Sequence, residues 1–436
     1  MATTITPQIV DLNVNVVTAP TPSQLQQSGA IVSAGGSTLS SGAYQFCGTL
    51  EAVTAIVAAP LAITSITWAS GTATATVAAM TLAVGQTFLT TIAGATPAGY
   101  NGTYIATVAT STTFTFALAT DPGTETVPGT YTPPYVAFIQ DAATRHFAQG
   151  SNTGIYVLEL GAQTDATTAI TALETWITAH TTPQVFYLYE VDASWDSAAL
   201  NTMAANYSSP NGRTYFMVPS TTGTMTDYSG TKSVIAFIPS PGDLVSTQAQ
   251  AGIGYQILNN NPSAANPAGP LGFRPIYGVT AWPDNSTSLS TILTAYANYI
   301  GTGSEGGLAS LNIIRNGTTM DGTQFMWWYG IDWVAIQVKQ ALAAAVINGS
   351  SQNPPLVYNQ AGINALLAVA QDICNTAVKY QLVLSATVTA TPFSTYVAQN
   401  PNDYAAGIYN GFSCTIVGLN GFLKLTFTID ATQFAA

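Results

Sequence analysis

The sequence has 436 residues, and its 8 Lys and Arg residues against 20 Asp and Glu residues give a formal net charge of −12. Only 6% of the residues are charged while 47% are hydrophobic, so the chain can bury a large core, and its length predicts two or three domains. The scarcity of cations excludes nucleic-acid binding through phosphate contacts, and the low charge favours a protein that lies within an assembly.

Residues 1–20 are predicted to form an extended arm. Apolar side chains recur with a period of two over residues 9–16, which is the pattern of a strand. A single terminal strand has to pair with another strand, either in its own chain or in a neighbouring copy. The segment lacks the basic and apolar regions of a secretory signal.

Residues 61–132 are predicted to be an inserted all-β sandwich or barrel. The segment contains no Lys, Arg or His. Strand patterns separated by Gly, Pro and Asn turns lie at residues 63–68, 72–77, 87–92, 103–108 and 113–118. Short strands at such regular spacing are typical of small β domains. Before this insertion, residues 50–58 fit either a short helix or a strand.

The rest of the chain alternates between helices and strands. Helical spacing occurs at residues 141–149 and 166–179, and buried strands are predicted at 154–160, 184–189, 214–218 and 233–238. Two further helices are predicted over residues 331–347 and from 359 or 360 onward, followed by two strands within 414–429. The predicted fold class is therefore α+β: mixed α/β core domains with an inserted β domain and extended β arms at both termini.

These patterns predict four regions. They are an arm (1–20), an α/β domain (21–60 plus 133–325), the inserted β domain (61–132) and a C-terminal core domain (326–436) whose last residues, from about 414, form a second β arm.

Candidate catalytic groups are few. His146 fits a partly buried helix residue, and His180 fits a helix end, where a histidine interacts well with the helix dipole. Glu190, Asp192 and Asp196 near Trp195 suggest either a carbohydrate or cation site or, as we favour, a solvated loop. Asp321 and Asp332 suggest a carboxylate pair or, as we favour, a turn or N-cap and a first-turn helix acid. We find none of the common hydrolase, metalloprotease or nucleotide-binding motifs, so the sequence favours a protein that is not an enzyme.

Cysteine and tryptophan patterns add no site. Cys47, Cys374 and Cys414 are far apart without a CxxC pair, so we predict no disulfide framework, metal site or cofactor, and we expect each to pack as a small apolar residue. A cluster of Trp327, Trp328 and Trp333 fits core or interface packing better than a stacking platform. No apolar run approaches the roughly 18 residues of a membrane span, because the richest, 341–347, is much shorter.

Three segments resemble contractile phage tail sheath proteins. Residues 321–347 (DGTQFMWWYGIDWVAIQVKQALAAAVI) resemble a family signature in which an Asp-Gly turn, an aromatic stretch and an Asp-Trp precede an amphipathic helix. Residues 354–383 resemble the following long-helix segment, and residues 142–160 resemble a helix-then-strand segment of the family. The similarity is to the uncharacterised-family sheath type of some myophages, with a small β-module inserted. The scarcity of charge departs from the family, whose members grip their tube partly through ion pairs.

The resemblance implies a structural subunit that polymerises helically around a tail tube, exchanges terminal strands with its neighbours and contracts to drive the tube through a host envelope. Its partners would be further copies of itself, the tube protein, and baseplate and tail terminator proteins, with no nucleic acid and no membrane span. Its location would be the virion tail, assembled in the host cytoplasm. The residues predicted to make the strand exchange are Ile9, Val10, Leu12, Val14, Val16, Phe422, Leu423, Leu425, Phe427 and Ile429. The helix with Asp372 and Lys379 is the candidate for the tube-facing surface.

A surface-layer or adhesin-like binding protein is the alternative. The acidity, the Thr, Ser, Ala and Gly content and the β-module suit such a protein. The missing secretory signal and the helices between residues 321 and 383 argue against it.

Overall fold

The computed structural model describes residues 22–241, 248–262, 269–283, 286–303 and 311–423. The predicted N-terminal arm and the tail beyond residue 423 lie outside the described residues. The first part of the chain contains β1 (Gly29–Ser33), β2 (Tyr44–Cys47), α1 (Leu50–Thr54), β3 (Leu61–Ala69), β4 (Thr72–Val77), β5 (Thr87–Ala93), β6 (Gly102–Thr110), β7 (Thr113–Ala117) and β8 (Thr130–Tyr131).

The middle part contains α2 (Val136–Phe147), β9 (Ile155–Glu159), α3 (Ala166–Ala179), β10 (Leu188–Glu190), α4 (Ala198–Ala205), β11 (Tyr215–Pro219), β12 (Val234–Phe237), α5 (Gln250–Leu258), α6 (Ser286–Thr294), β13 (Tyr299–Thr302) and β14 (Asn312–Arg315). The last part contains α7 (Phe325–Gly349), α8 (Gln360–Lys379), β15 (Val383–Ala390), α9 (Phe393–Gln399), α10 (Pro401–Ala405) and β16 (Phe412–Gly418). Helices and several separate sheets together confirm the predicted α+β class.

A six-stranded sheet organises the middle of the chain. Its strand order is β12-β11-β10-β1-β9-β2, with β12, β11, β10, β1 and β9 parallel and β2 antiparallel at one edge. Successive residues of β11 enter two different apolar clusters: Phe216 and Val218 lie in one, and Tyr215 and Met217 in the other. The sheet is therefore buried on both faces, which explains why its strands are continuous apolar runs.

Residues 61–131 contain a closed barrel of strand order β3-β4-β7-β6-β5-β8. Large and small residues alternate in its interior, because Ala73 lies opposite Phe116 and Ala75 opposite Phe114. The five strands predicted in this region are present, and β4 has the predicted bounds. The chain enters and leaves the barrel on paired strands, since Leu61 lies opposite Tyr131.

Several predicted boundaries are confirmed by local hydrogen bonds. The helix predicted at residues 166–179 is α3, and the Asp165 carboxylate accepts from the Thr168 amide to cap it. Asn359 caps α8 by accepting from the Gly362 amide. The ambiguous segment after residue 50 begins with the short helix α1, capped by Thr49. In contrast, α2 begins at Val136, five residues before its predicted start at residue 141.

Helix α7 corrects the sequence analysis in two ways. It begins at Phe325, so the aromatic residues expected to precede the helix are its first turns. Its 25 residues are also long and apolar enough to cross a membrane by length and composition alone, whereas no such segment was predicted. The core helix of a soluble protein passes the same test, and the first turns of α7 carry buried polar contacts, described below.

We expect the barrel to be dispensable for folding. Deleting residues 61–131 joins two chain positions that flank paired strands, so the sheet and its helices keep their connections. The cost is exposure of Phe138 on α2, which lines a small cavity together with Leu82 and Phe88 of the inserted segment. The deleted protein should stay soluble and keep the cooperative unfolding of the parent with a lower midpoint, as measured by circular dichroism.

A matched deletion of residues 166–205 is the control, because it removes α3, α4 and the central strand β10 and should abolish soluble expression. If the barrel deletion behaved in the same way, the barrel would be an integral part of the core.

Candidate functional site

The carboxyl end of the central sheet is the usual ligand position in such a fold. In chain order the parallel strands have the arrangement 2-1-3-4-5, and folds of this order bind ligands where the connections diverge, at the end of the first strand. Here that position is filled by a side chain of the protein. The Glu159 carboxylate accepts from the Ser33 and Ser37 hydroxyls and from the amides of Gly35, Ser37 and Gly161, all within 3.0 Å.

Glu159 therefore takes the place that an anionic ligand would need. Its side chain is only 1% exposed, and the backbone amides of the turn after β1 donate to it rather than to a bound group. Such amides are what a phosphate-binding turn offers its ligand. The Glu159 side chain therefore fills the ligand position at the carboxyl end of the sheet.

Of the three acids in the predicted loop, Glu190 is buried and Asp192 and Asp196 are partly buried, which corrects the interpretation as a solvated loop. Glu190 is 0% exposed, and burial raises its pKa from 4.5 to about 8. Its two oxygens find no hydrogen-bond partner among the described residues. Asp192 instead accepts from the Ser194 amide at 2.8 Å, and Asp196 accepts from the Tyr228 hydroxyl at 2.8 Å. The three acids thus face separate surroundings rather than one ligand.

Both histidines have structural surroundings. His146 is fully buried rather than partly buried, a ring nitrogen lies 3.0 Å from the Thr153 carbonyl, and burial lowers its pKa to about 4. His180 lies at the end of α3, as predicted, with Nδ1 2.7 Å from the Trp176 carbonyl and its ring stacked on Trp176 at 4.1 Å. The His146 ring also contacts the rings of Phe147 and Tyr255, so the described contacts of both histidines are with carbonyls and aromatic rings.

Asp332 joins α7 to the central sheet. Its Oδ2 accepts hydrogen bonds of 2.9 Å from the hydroxyls of Tyr187 and Tyr215, which lie at the amino ends of β10 and β11. Burial raises the pKa of Asp332 to about 6, while Lys232 and the two hydroxyls act in the opposite direction. The expectation of a first-turn helix acid is wrong, because α7 begins seven residues earlier and Asp332 is only 2% exposed.

Aromatic residues surround this contact. The Lys232 ammonium lies 4.1 Å from the Trp328 ring centroid and donates to the carbonyls of Ser209, Pro210 and Gly212. Asp321 accepts from the Trp328 indole at 3.1 Å and from the Thr323 amide, which makes it a turn residue as predicted. Trp328 and Trp333 pack against the core, as the sequence analysis favoured.

The C-terminal sheet is one of the places where the described chain leaves a strand edge uncovered. It has two antiparallel strands, β15 and β16, and no third strand among the described residues. One side of β15 is covered by a side chain, because the Gln371 amide accepts from the Val388 amide at 2.8 Å and donates to the Ala386 carbonyl at 3.2 Å. Gln371 thus occupies the hydrogen-bonding positions that another strand would use.

Among the described residues, the edge of this sheet without a covering strand or side chain is that of β16. The backbone groups of Ala386 and Val388 point away from β16, since they bond Gln371. In an antiparallel pair, residues opposite such positions also direct their backbone groups outward. Ile416 lies opposite Ala386 and Cys414 opposite Val388, so both present outward backbone donors and acceptors. The edge of β16 is therefore a template for another strand.

The chain leaves this sheet next to α7. The Gln324 side chain bonds both the amide and the carbonyl of Gly421 at 2.8 Å. Phe422 follows and is 80% exposed, while the Leu423 side chain lies against Gly272. Of the residues predicted for strand exchange, only Phe422 and Leu423 are described; Ile9, Val10, Leu12, Val14, Val16, Leu425, Phe427 and Ile429 lie outside the described residues.

Asp372 and Lys379 lie two turns apart on the exposed side of α8. The opposite side of the helix, with Ile363, Ala370, Cys374 and Ala377, is buried. The two charged residues therefore share one solvent-facing surface, and their contact with a tube stays a prediction.

Comparison with known proteins gives a match in structure only. No protein-family model and no curated protein matches the sequence. A protein of the anti-feeding prophage baseplate superposes with a TM-score of 0.54 at 13% identity, over 93% of this chain and 94% of that chain. The contracted helical sheath of the same prophage gives 0.44 at 15% identity over 68% and 83%, and a sheath tail protein from Listeria innocua gives 0.44 at 9% over 90% and 95%.

The chain shares the fold of this baseplate protein. At 13% identity the superposition shows the architecture alone. It covers nearly the whole of both chains. The sheath-type fold was predicted from residues 142–160, 321–347 and 354–383. In the structure these segments contain parts of α2 and β9, which belong to the central sheet and its helices, and of α7 and α8, which belong to the C-terminal unit (α7 to β16).

We expect Asp332→Ala to lower the free energy of unfolding by about 3–5 kcal/mol, because two buried hydroxyls lose their acceptor and Lys232 loses its counter-charge. Urea unfolding of the unassembled subunit, followed by tryptophan fluorescence, measures the change. Asp372→Ala removes an exposed carboxylate from α8 and is the matched control, with an expected change below about 0.5 kcal/mol. Equal effects of the two substitutions would contradict the role assigned to Asp332.

We expect Glu190 to make stability fall as the pH rises. Its folded pKa of about 8 lies above the ordinary value of 4.5, so the folded state favours the protonated carboxyl and loses stability as the group ionises. Above pH 6.5 the contributions of His146, which still titrates in the unfolded chain, and of Asp332, whose folded pKa is about 6, oppose each other and are each below about 0.5 kcal/mol. The wild-type protein should lose about 1–2 kcal/mol between pH 6.5 and about pH 8.

Glu190→Gln should remove this loss, whereas the exposed control Glu51→Gln should retain it. Urea unfolding at several pH values measures both variants. A Glu190→Gln protein with the wild-type slope would show that the carboxyl ionises without penalty in the folded chain.

Proposed function

We propose that the protein is the structural subunit of a contractile tail sheath, which polymerises helically by adding terminal strands to the sheets of neighbouring copies. The observation that carries this proposal is the edge of β16, which no other strand covers among the described residues, followed along the chain by the exposed Phe422. The fold shared with the baseplate protein agrees with it.

The acceptor in this mechanism is β16 rather than β15. Gln371 already satisfies Val388 and Ala386 on the β15 side, so a strand arriving there would first have to displace its amide. On the β16 side the outward backbone groups of Cys414 and Ile416 accept a strand without displacing a side-chain partner. Main-chain pairing of this kind depends little on side-chain identity.

The donors are the two arms, residues 9–16 and 422–429. Gln324 holds Gly421, so the C-terminal arm starts from a fixed point at the beginning of α7. The neighbouring Phe422 is 80% exposed and is not packed onto its own subunit. An arm that leaves one copy and pairs with the next makes a heterologous contact, which builds an open helical array when its rotation does not close into a ring.

The array would surround a tail tube and shorten when released from a metastable extended form, with baseplate and terminator proteins at its ends. The baseplate protein with the same fold supports the association with a baseplate. The subunit would lie in the virion tail after assembly in the host cytoplasm. The surface with Asp372 and Lys379 remains the proposed tube contact.

We propose no enzymatic role. The ligand position of the sheet is filled by Glu159, and the acids and histidines of the described chain are held apart by separate structural contacts. An adhesin-like role has no comparable support, since no observation on the barrel indicates a binding surface for a glycan.

The test is assembly of a protein that lacks residues 1–20. It should remain a folded subunit with the unfolding midpoint of the parent, because these residues bond to other copies, yet it should form no tubes in negative-stain electron micrographs. A matched control replaces residues 9–16 by alternating Val and Thr of the same length, which preserves main-chain pairing and should restore tubes.

Replacement of Leu12 and Val14 by Pro, which removes two backbone donors, should abolish tubes as the deletion does. Normal tubes from the deletion or from the double Pro variant would contradict strand exchange by the N-terminal arm.

A further inference from the structure

Two of the three cysteines lie in contact on facing elements of the C-terminal unit. Cys374 is fully buried on the inner side of α8, and Cys414 is exposed on β16. Their Sγ atoms are 3.7 Å apart, which is a contact distance for two thiols. A disulfide needs the sulfurs at about 2 Å, so side-chain rotation has to close the remaining separation.

The surrounding contacts hold the two elements in register. Gln371 lies one turn before Cys374 and bonds Ala386 and Val388 of β15. Val388 is also the cross-strand partner of Cys414. The helix and the two strands are thus fixed to one another next to the sulfur pair, which keeps the thiols close together in the folded chain.

We infer that Cys374 and Cys414 form a site of thiol oxidation. Their two thiols convert to an intrachain disulfide when the protein meets a low-molecular-weight disulfide. The exposed Cys414 reacts first: its thiolate attacks one sulfur of the reagent, forms a mixed disulfide and releases one thiol. The Cys374 thiol then loses its proton to solvent, and its thiolate attacks the Cys414 sulfur and releases the second thiol. Two protein thiols are oxidised, and one disulfide reagent is reduced to two thiols.

The two cysteines differ in reactivity. Burial raises the pKa of Cys374 to about 12, so little of it is thiolate at neutral pH and the closing step becomes faster as the pH rises. A reducing cytoplasm keeps both as thiols, and an oxidising exterior favours the bond. Closure would join β16 covalently to α8.

This consequence bears on the proposed function, because β16 is the proposed acceptor strand. A bond from Cys414 to α8 leaves the outward backbone groups of β16 in place for pairing while preventing the strand from separating from its own subunit. The thiol chemistry itself does not depend on assembly, and the unassembled subunit can be used to test it.

The experiment treats the reduced wild-type protein with oxidised glutathione, blocks remaining thiols with N-ethylmaleimide under denaturing conditions and identifies the products by peptide mass spectrometry. We expect Cys374 and Cys414 in one cross-linked peptide pair and only Cys47 alkylated, with faster closure at pH 9 than at pH 7. Cys47 is buried in β2, where burial raises its pKa to about 11, and it serves as the internal control.

Cys374→Ser should stop at a glutathione adduct on Cys414, and Cys414→Ser should keep both remaining thiols free. Hydrogen exchange of β15 and β16 should slow by about tenfold on oxidation and return to its initial rate with dithiothreitol. Three alkylated thiols in the oxidised wild-type protein, or a stable glutathione adduct without closure, would overturn the inference. Loss of tubes from the arm deletion together with free thiols here would refute this inference and leave the proposed function intact.

Discussion

The buried contact of Asp332 with Tyr187 and Tyr215 fixes how the C-terminal unit sits on the central sheet. The carboxylate comes from α7, and its two donors come from the amino ends of neighbouring strands. Because α7 also packs against β15 and β16, its attachment determines where the free strand edge lies relative to the sheet. In the proposed assembly an acceptor edge orders a helical array only if its position in every copy is the same, so this buried carboxylate would constrain the geometry of assembly.

Side-chain amides make many of the polar contacts that ion pairs make in other proteins. Gln371 covers the β15 edge, and Gln324 holds Gly421. Asn298 bonds four backbone groups between β12 and the turn before α7. By comparison, the described residues contain a single ion pair, Arg145 with Asp141. Neutral amides pair with backbone donors and acceptors without the desolvation cost of a charge, which suits a chain in which 6% of residues are charged.

Sequence reasoning succeeded where the determinants are local. The bounds of α3 follow from its apolar spacing and its capping residue Asp165, and the barrel strands follow from alternation between turn residues. The beginning of α7 was missed because its aromatic first turns follow an Asp-Gly turn and have no strong capping side chain. Gln324 occupies the cap position, but its side chain makes no capping hydrogen bond to the helix.

Long-range contacts left no comparable signal. Asp332 meets partners 145 and 117 residues away, and Glu159 meets a turn more than 120 residues earlier. Nothing in the spacing of single Asp, Tyr or Cys residues indicates such pairs. The Asp332 contact, the ligand position filled by Glu159 and the contact between the Cys374 and Cys414 sulfurs are therefore visible only in the folded chain.

The two edges of the C-terminal sheet differ in whether another strand can pair with them. An exposed edge is a liability, because it pairs with any compatible strand. Gln371 removes that liability on β15 by imitating a peptide group, while β16 keeps its backbone groups free. In the proposed assembly this difference makes the pairing directional, because a neighbour extends the sheet on the β16 side only. A directional contact that repeats from copy to copy without closing is what a tube requires, and in the proposed sheath the placement of one glutamine side chain supplies the direction.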